Sequence, residues 1–239
     1  MTLLTASSSY FYSMGPEFLL IIAIGIVGFI VQSRLQSVFN KYSKVPFAGG
    51  LTGREVAEKM LRDNGITDVR VTHVSGELTD HFNPANKTVN LSDSVYESNS
   101  VAAAAVAAHE CGHAVQHAVG YAPLKWRSAL VPVTSFSSKF AILFIIGGIV
   151  LAGVTNNLVL FWIGIGMIAM SALFSIVTLP VEYNASHRAL AWLENEQILN
   201  SQQQAQAKEA LTWAARTYLV AALSAIATLI YYIGFARRD

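Results

Sequence analysis

Of the 239 residues, 53% are hydrophobic and only 13% charged, where an ordinary soluble domain carries roughly 25% charged side chains; with a mean hydropathy of +0.44 this excludes a disordered chain. A net charge of +1, from 16 basic and 15 acidic residues, excludes the polyelectrolyte surface that drives nucleic-acid binding. The single cysteine, Cys111, excludes an internal disulfide and leaves the redox compartment open.

Taken in chain order, the apolar excess is gathered into long runs. Phe18–Val31 is a short first span, completed at the interface by the aromatic Tyr10, Phe11 and Tyr12. No Lys or Arg precedes Arg34, so this run lacks the basic segment of a secretory signal and reads as a retained anchor. A polar region follows. Thr52-x-x-Glu55 is a capping box that opens a helix, and Asn64-Gly65 closes it. Asp68–Val74 alternates as a strand, and Lys87–Leu91 forms another after the turn signal Asn83-Pro84. Ser100 caps an Ala-rich helix that reaches about His117 or Val119; its three His, one Glu and one Gln keep it out of hydrocarbon.

The second span is Phe140–Val154, extended backward through Leu130, Val131 and Val133 with Lys139 snorkelling at its boundary. Thr155-Asn156-Asn157 turns it into Leu158–Leu179, a charge-free run of about 33 Å as a helix against a hydrocarbon core of roughly 30 Å. A second polar segment spans 181–216 and is helix-prone over 194–209. Thr217–Ala236 is the fourth span, ending with Tyr231 and Tyr232 and followed by Arg237 and Arg238. If the spans alternate, Arg34, Lys41, Lys44, Lys125, Arg127, Lys139, Arg188, Lys208 and Arg216 gather on one side, which the positive-inside rule makes cytoplasmic. The N- and C-termini then lie outside, and both polar regions lie inside.

The Ala-rich helix contains His109-Glu110-Cys111-Gly112-His113, an HExxH motif. Histidines four apart share a helix face, so both imidazoles can reach one tetrahedral zinc, and Glu110 can take the proton of a water that attacks a carbonyl. With six His in 239 residues, a shuffled chain would contain the motif about 0.6% of the time. The competing reading is two surface histidines flanking a solvated glutamate. A catalytic zinc needs a third protein ligand. His117 lies about 12 Å along the axis from His109 and cannot share the ion; Gln116 and Val119 break the metzincin pattern; and no Asp is followed by Gly, as a site-2-type intramembrane protease would require. Glu182 is the best candidate, being the first ionisable residue after the third span, costly beside hydrocarbon unless paired, and returned by the hairpin to the side of the HExxH helix.

HExxH, a two-span hairpin and then Glu-aromatic-x-Ala resembles the gluzincin membrane proteases of the HtpX and CAAX-prenyl-protease type. More specifically, Thr79–Gln116 (TDHFNPANKTVNLSDSVYESNSVAAAAVAAHECGHAVQ) and LPVEYNASHRALAWL over 179–193 resemble the two signature regions of the YugP-like neutral zinc metallopeptidases. The resemblance covers nearly the whole chain and implies one catalytic Zn2+, held by His109, His113 and Glu182, with Glu110 as general base. It also implies that Lys87, Thr88, Val89, Asn90 and Leu91 form the edge strand on which an extended substrate lies. HtpX-type enzymes carry an Asp at the position of Ser186, and they have two spans before the site and none after it; this chain has one and one, as the YugP-like branch would have.

Ser186 shares a helical face with Glu182 and is expected to orient a zinc histidine, with His117 nearby. Among His187, Arg188, His117 and Tyr183, His187 is expected to stabilise the oxyanion. His73 and His81 read as ordinary surface or turn residues, and Cys111 as a small packed residue. The expected fold is therefore a mostly α membrane protein with four transmembrane helices and a cytoplasmic α+β catalytic domain of gluzincin type. Its segments are 1–31 (tail and first helix), 32–127 (catalytic), 128–180 (hairpin), 181–216 (third ligand) and 217–239 (fourth helix and tail). The expected function is a membrane zinc metalloendopeptidase acting on membrane-associated polypeptide, with the bilayer as its other partner and an oligomer or regulatory membrane partner left open. A zinc-binding membrane protein without hydrolysis, or a purely structural one, is the competing class.

Overall fold

The computed structural model describes residues 16–47 and 49–236; the aromatic belt at Tyr10–Tyr12 and the basic pair Arg237 and Arg238 lie outside them. Seven helices and three strands follow in order: α1 (Pro16–Tyr42), α2 (Gly53–Asp63), β1 (Arg70–Val74), β2 (His81–Asn83), β3 (Thr88–Ser92), α3 (Asp93–Tyr96), α4 (Val101–Ala118), α5 (Ala122–Thr155), α6 (Val159–Asn195) and α7 (Ser201–Ala236). Among the described residues, four helices are long and apolar enough to cross a membrane, over Phe18–Tyr42, Ala122–Thr155, Val159–Asn195 and Ser201–Ala236.

The chain divides into two compact units. One comprises Met1–Ile30, Ala129–Ile176 and Leu219–Asp239. Its side chains leave a largely apolar exterior, with Phe29, Ile142, Leu143, Val150 and Val154 exposed, the pattern of helices solvated by lipid rather than water. Its small core is Ile145, Phe161 and Ile165. The α5–α6 connection is a tight turn in which Asn156 takes the left-handed conformation (φ 54°) and the Asn157 side chain accepts the Val159 N–H at 2.9 Å.

The other unit, Val31–Ser128 and Val177–Tyr218, holds the main core. Thr52 and Glu55 form the expected capping box of α2, and Ser100 caps α4 by accepting the Ala103 N–H at 3.2 Å. The alanines of α4 permit close packing on all sides, so Val101–Ala105, Ala107 and Ala108 are fully buried against α2, α3 and the sheet.

Three expectations need correction. The three-stranded sheet has the order β1-β3-β2, with β1 parallel and β2 antiparallel to β3. The Lys87–Leu91 segment therefore supplies the central strand, buried at every position from Thr88 to Ser92, and its backbone groups are engaged on both sides; it is no edge on which a substrate could lie. The missed strand β2 is one of the two edges, too short at three residues to show alternation. Second, α6 runs unbroken through Pro180 to Asn195. Proline removes one N–H donor and crowds the preceding turn, but the helix continues on the far side, so the third span and the segment bearing Glu182 are one element. Third, α1 continues past Val31 and buries Val38, Phe39 and Tyr42 in the core.

Candidate metal centre

The site is built where α4 meets the second half of α6. A Cβ added at Gly112 would lie 2.6 Å from the Ala185 carbonyl oxygen and 3.1 Å from its Cα. The second variable position of HECGH is thus glycine because the two helix backbones touch there. That contact carries Glu182, one turn before Ala185, up to the histidines on either side of Gly112.

His109 Nε2 lies 3.3 Å and His113 Nε2 3.5 Å from Glu182 Oε2. The three ligand-type atoms all fall within 4.8 Å of one another, and the two imidazoles stand nearly perpendicular, at 84°. Glu182 is 2% exposed and His113 is buried. Burial pushes the His113 imidazole down, but the adjacent Glu182 carboxylate and the charge of Glu110 more than offset this and hold it above its ordinary value. Negative charge is in excess in this pocket.

The outer imidazole nitrogens are fixed by hydrogen bonds. Gln116 is completely buried; its Nε2 donates to the Val181 carbonyl at 2.7 Å and to Asn184 Oδ1 at 3.0 Å. A backbone carbonyl can only accept, so the Gln116 amide has one orientation and its Oε1 faces His113 Nδ1 at 3.0 Å. His113 then carries a proton on Nδ1, and in its neutral form it presents the lone pair at Nε2. Asn184 is itself held by Arg188 Nε at 2.8 Å. On the other histidine, Ser186 Oγ lies 3.1 Å from His109 Nδ1, as expected from the sequence.

These features match a divalent metal. Glu182 Oε2 is buried without a hydrogen-bond partner among the described residues, and it faces Nε2 of both histidines. With neutral imidazoles these are acceptors aimed at one another, an arrangement that a bound cation relieves. Ligand bonds of about 2.1 Å in a tetrahedron imply edges of roughly 3.4 Å, and the two nitrogen–oxygen separations lie on either side of that value. One carboxylate and two imidazoles form a typical zinc donor set with a position left open.

Glu110 is buried beside this cluster, and its Oε2 accepts the backbone N–H of Phe82 in β2 at 3.0 Å. That bond turns the free edge of β2 toward the carboxylate. Cys111 is fully buried, and burial pushes its thiol well above the ordinary range, so it stays protonated and packed, as expected.

Two expectations fail. His187 is exposed and lines a separate groove of about 510 Å³ with Asp63, Asn64 and Trp192. Ser186 faces His109, and a helical step of about 100° turns the next residue away. His117 makes no hydrogen bond to a metal histidine; its ring meets Phe82 at 5.8 Å and lines a cavity of about 450 Å³ with Tyr121 and Leu124. Three residues at the site went unread in the sequence. Gln116 could have been found from its three-residue spacing after His113. Arg127 Nη2 lies 3.8 Å from Glu182 Oε1, and Tyr218 lies within electrostatic reach of Glu182; both come from elements distant in sequence and left no local signal.

The sequence profile of the family described as "Putative neutral zinc metallopeptidase" matches residues 17–237. The chain is 41% identical over 218 residues, 90% of its length and 94% of the relative's, to a Bacillus subtilis protein described as "Putative membrane protease YugP". No solved structure matches it. With a site of two imidazoles and a carboxylate beside an HExxH glutamate, and a match running from the first helix to the last, the chain belongs to the neutral zinc metallopeptidase family.

Proposed function

We propose that this protein is a membrane zinc metalloendopeptidase of gluzincin type, with His109, His113 and Glu182 as ligands of one zinc ion and Glu110 as general base. The observation that carries the reading is the buried Glu182 Oε2, which lacks a hydrogen bond and lies 3.3 and 3.5 Å from the two histidine nitrogens. Zinc bound there would polarise a peptide carbonyl and lower the pKa of a water from 15.7 to about 7.

The chain's own groups perform the remaining work. Gln116 and Ser186 fix the two imidazoles, so the ligands need little rearrangement. The Phe82 N–H holds one oxygen of Glu110, which leaves the other to take the proton of the attacking water and deliver it to the leaving amine nitrogen. An extended substrate adds to the free edge of β2, beside Glu110, in place of the central strand. The catalytic region then draws on 32–127 and 181–216, with 1–31, 128–180 and 217–239 supplying the membrane helices. The excess of Lys and Arg next to the spans makes the site cytoplasmic. Its ligand on a helix that also crosses the membrane favours membrane-associated substrates.

The test pairs zinc content with cleavage. Wild-type protein in detergent should hold zinc and cleave an unfolded or membrane-bound polypeptide, whereas Glu110→Gln should keep the zinc and lose at least 1,000-fold in kcat. A wild type that holds zinc yet cleaves nothing across a broad peptide library is a binder, and one without zinc sinks the reading.

A further inference from the structure

The remaining question is which group stabilises the negative charge that develops on the substrate carbonyl oxygen. Arg127 stands in the second turn of α5, half-buried, with Nη2 3.8 Å from Glu182 Oε1. A guanidinium serving as the dedicated counter-ion of a carboxylate forms a fork, with two bonds of about 2.7–2.9 Å. Here the single contact is too long to be a hydrogen bond. Arg127 Nε is also buried without a partner among the described residues, an arrangement that costs free energy unless another acceptor completes it. Tyr218 lies within electrostatic reach of Glu182, Glu110 and Arg127.

Arg127 is thus a cation whose donors are not committed to the carboxylate beside it. It is separated from the histidine–carboxylate cluster by no more than the width of that carboxylate, because Oε1 faces Arg127 and Oε2 faces the histidines. Resting on the function proposed above, we propose that Arg127 is a catalytic residue that donates hydrogen bonds to the oxyanion formed in peptide hydrolysis. As the water oxygen bonds to the carbonyl carbon, the C=O π pair moves onto the carbonyl oxygen, and Arg127 meets that charge. The pair then returns, the C–N bond breaks, and Glu110 passes the water's proton to the departing nitrogen. A preorganised donor at such a position contributes most when charge is greatest.

The experiment uses the full chain in detergent, comparing wild type with Arg127→Gln and Arg127→Lys. It measures zinc content, kcat and KM on a blocked peptide and on the same peptide with a free C-terminal carboxylate, and the affinities of a phosphonate peptide and of a reduced-amide peptide of the same sequence. For Arg127→Gln we expect unchanged zinc, kcat lower by about 100–1,000-fold and KM within about threefold. The phosphonate should weaken by the same factor as kcat, while the reduced amide is unaffected. Arg127→Lys should recover part of both losses. Unchanged phosphonate affinity overturns the proposal, as does zinc loss in both Arg127 variants, which would make the residue part of metal retention. A defect confined to peptides with a free C-terminal carboxylate also overturns it, assigning Arg127 to chain-end recognition. If wild type itself holds no zinc and cleaves nothing, the underlying function fails; if only the Arg127 variants behave as wild type, this inference fails alone.

Discussion

Two helix crossings in this protein are made the same way and serve different ends. At Gly112 an added Cβ would meet the Ala185 carbonyl oxygen at 2.6 Å; at Gly148 it would meet the Phe161 backbone nitrogen at 2.4 Å. Each glycine lets one helix backbone rest directly on another. Around Gly148 the neighbours are Ile145, Phe161 and Ile165, an apolar seam with no chemistry in it. Around Gly112 they are His109, Glu110, His113, Glu182, Ser186 and Gln116, nearly every one tied to another by a polar contact. The same steric device therefore sets a packing distance in one place and, under the proposed function, a ligand distance in the other.

Adding one methyl group at each crossing separates the two uses. Gly112→Ala must part α4 from α6, because the obstructing atoms are backbone and cannot rotate away. The ligand set then opens, and we expect zinc retention and kcat/KM to fall by at least 100-fold, read by metal analysis and cleavage of a peptide. Gly148→Ala should cost about 1–3 kcal/mol in stability through overpacking, measured by denaturant titration in micelles, yet leave zinc content and kcat of the folded fraction unchanged. Equal losses of zinc in both variants would show that the crossings are not functionally distinct.

How much of this could be read from the chain follows the range of the signals. The HExxH helix, its Ser100 cap and the α2 capping box are local patterns, and the structure has all three where the residues indicate. Glu182 could be singled out because few ionisable residues flank the third span, and its carboxylate lies 3.3 and 3.5 Å from the two histidine nitrogens. The central position of β3 was not legible: a strand buried on both sides and an edge strand read alike when each is five residues or fewer, and only pairing distinguishes them. Pro180 suggested an end to α6 because propensity weighs against it, whereas flanking turns and the packing of Val181 and Ala185, both fully buried, carry the helix onward. Arg127 and Tyr218 reach Glu182 from residues 55 positions before it and 36 after it, and no periodicity encodes such a meeting.

The finer comparison lies within the site, between the two hydrogen bonds that hold the imidazoles. Gln116→Leu keeps the volume but removes the acceptor of His113 Nδ1 and the donor to the Val181 carbonyl, all in a place with no access to water. Zinc affinity should fall about 100-fold, the upper end for loss of such a partner, as measured by competition with a chelator.

Ser186 holds the other imidazole by one bond of 3.1 Å, and His109 is the more exposed of the two histidines. A hydroxyl can donate or accept, so Ser186 limits the tautomer of His109 less strictly than Gln116 limits that of His113. Water can also replace it at an imidazole that is not sealed off. Ser186→Ala should therefore weaken zinc binding only about tenfold or less, at the lower end of the same range. Ser186→Asp, which accepts from Nδ1 as a full charge, should strengthen it. If the alanine variant instead loses as much as Gln116→Leu, then His109 is as dependent on its partner as His113, and the asymmetry between the two imidazoles is not a property of the site.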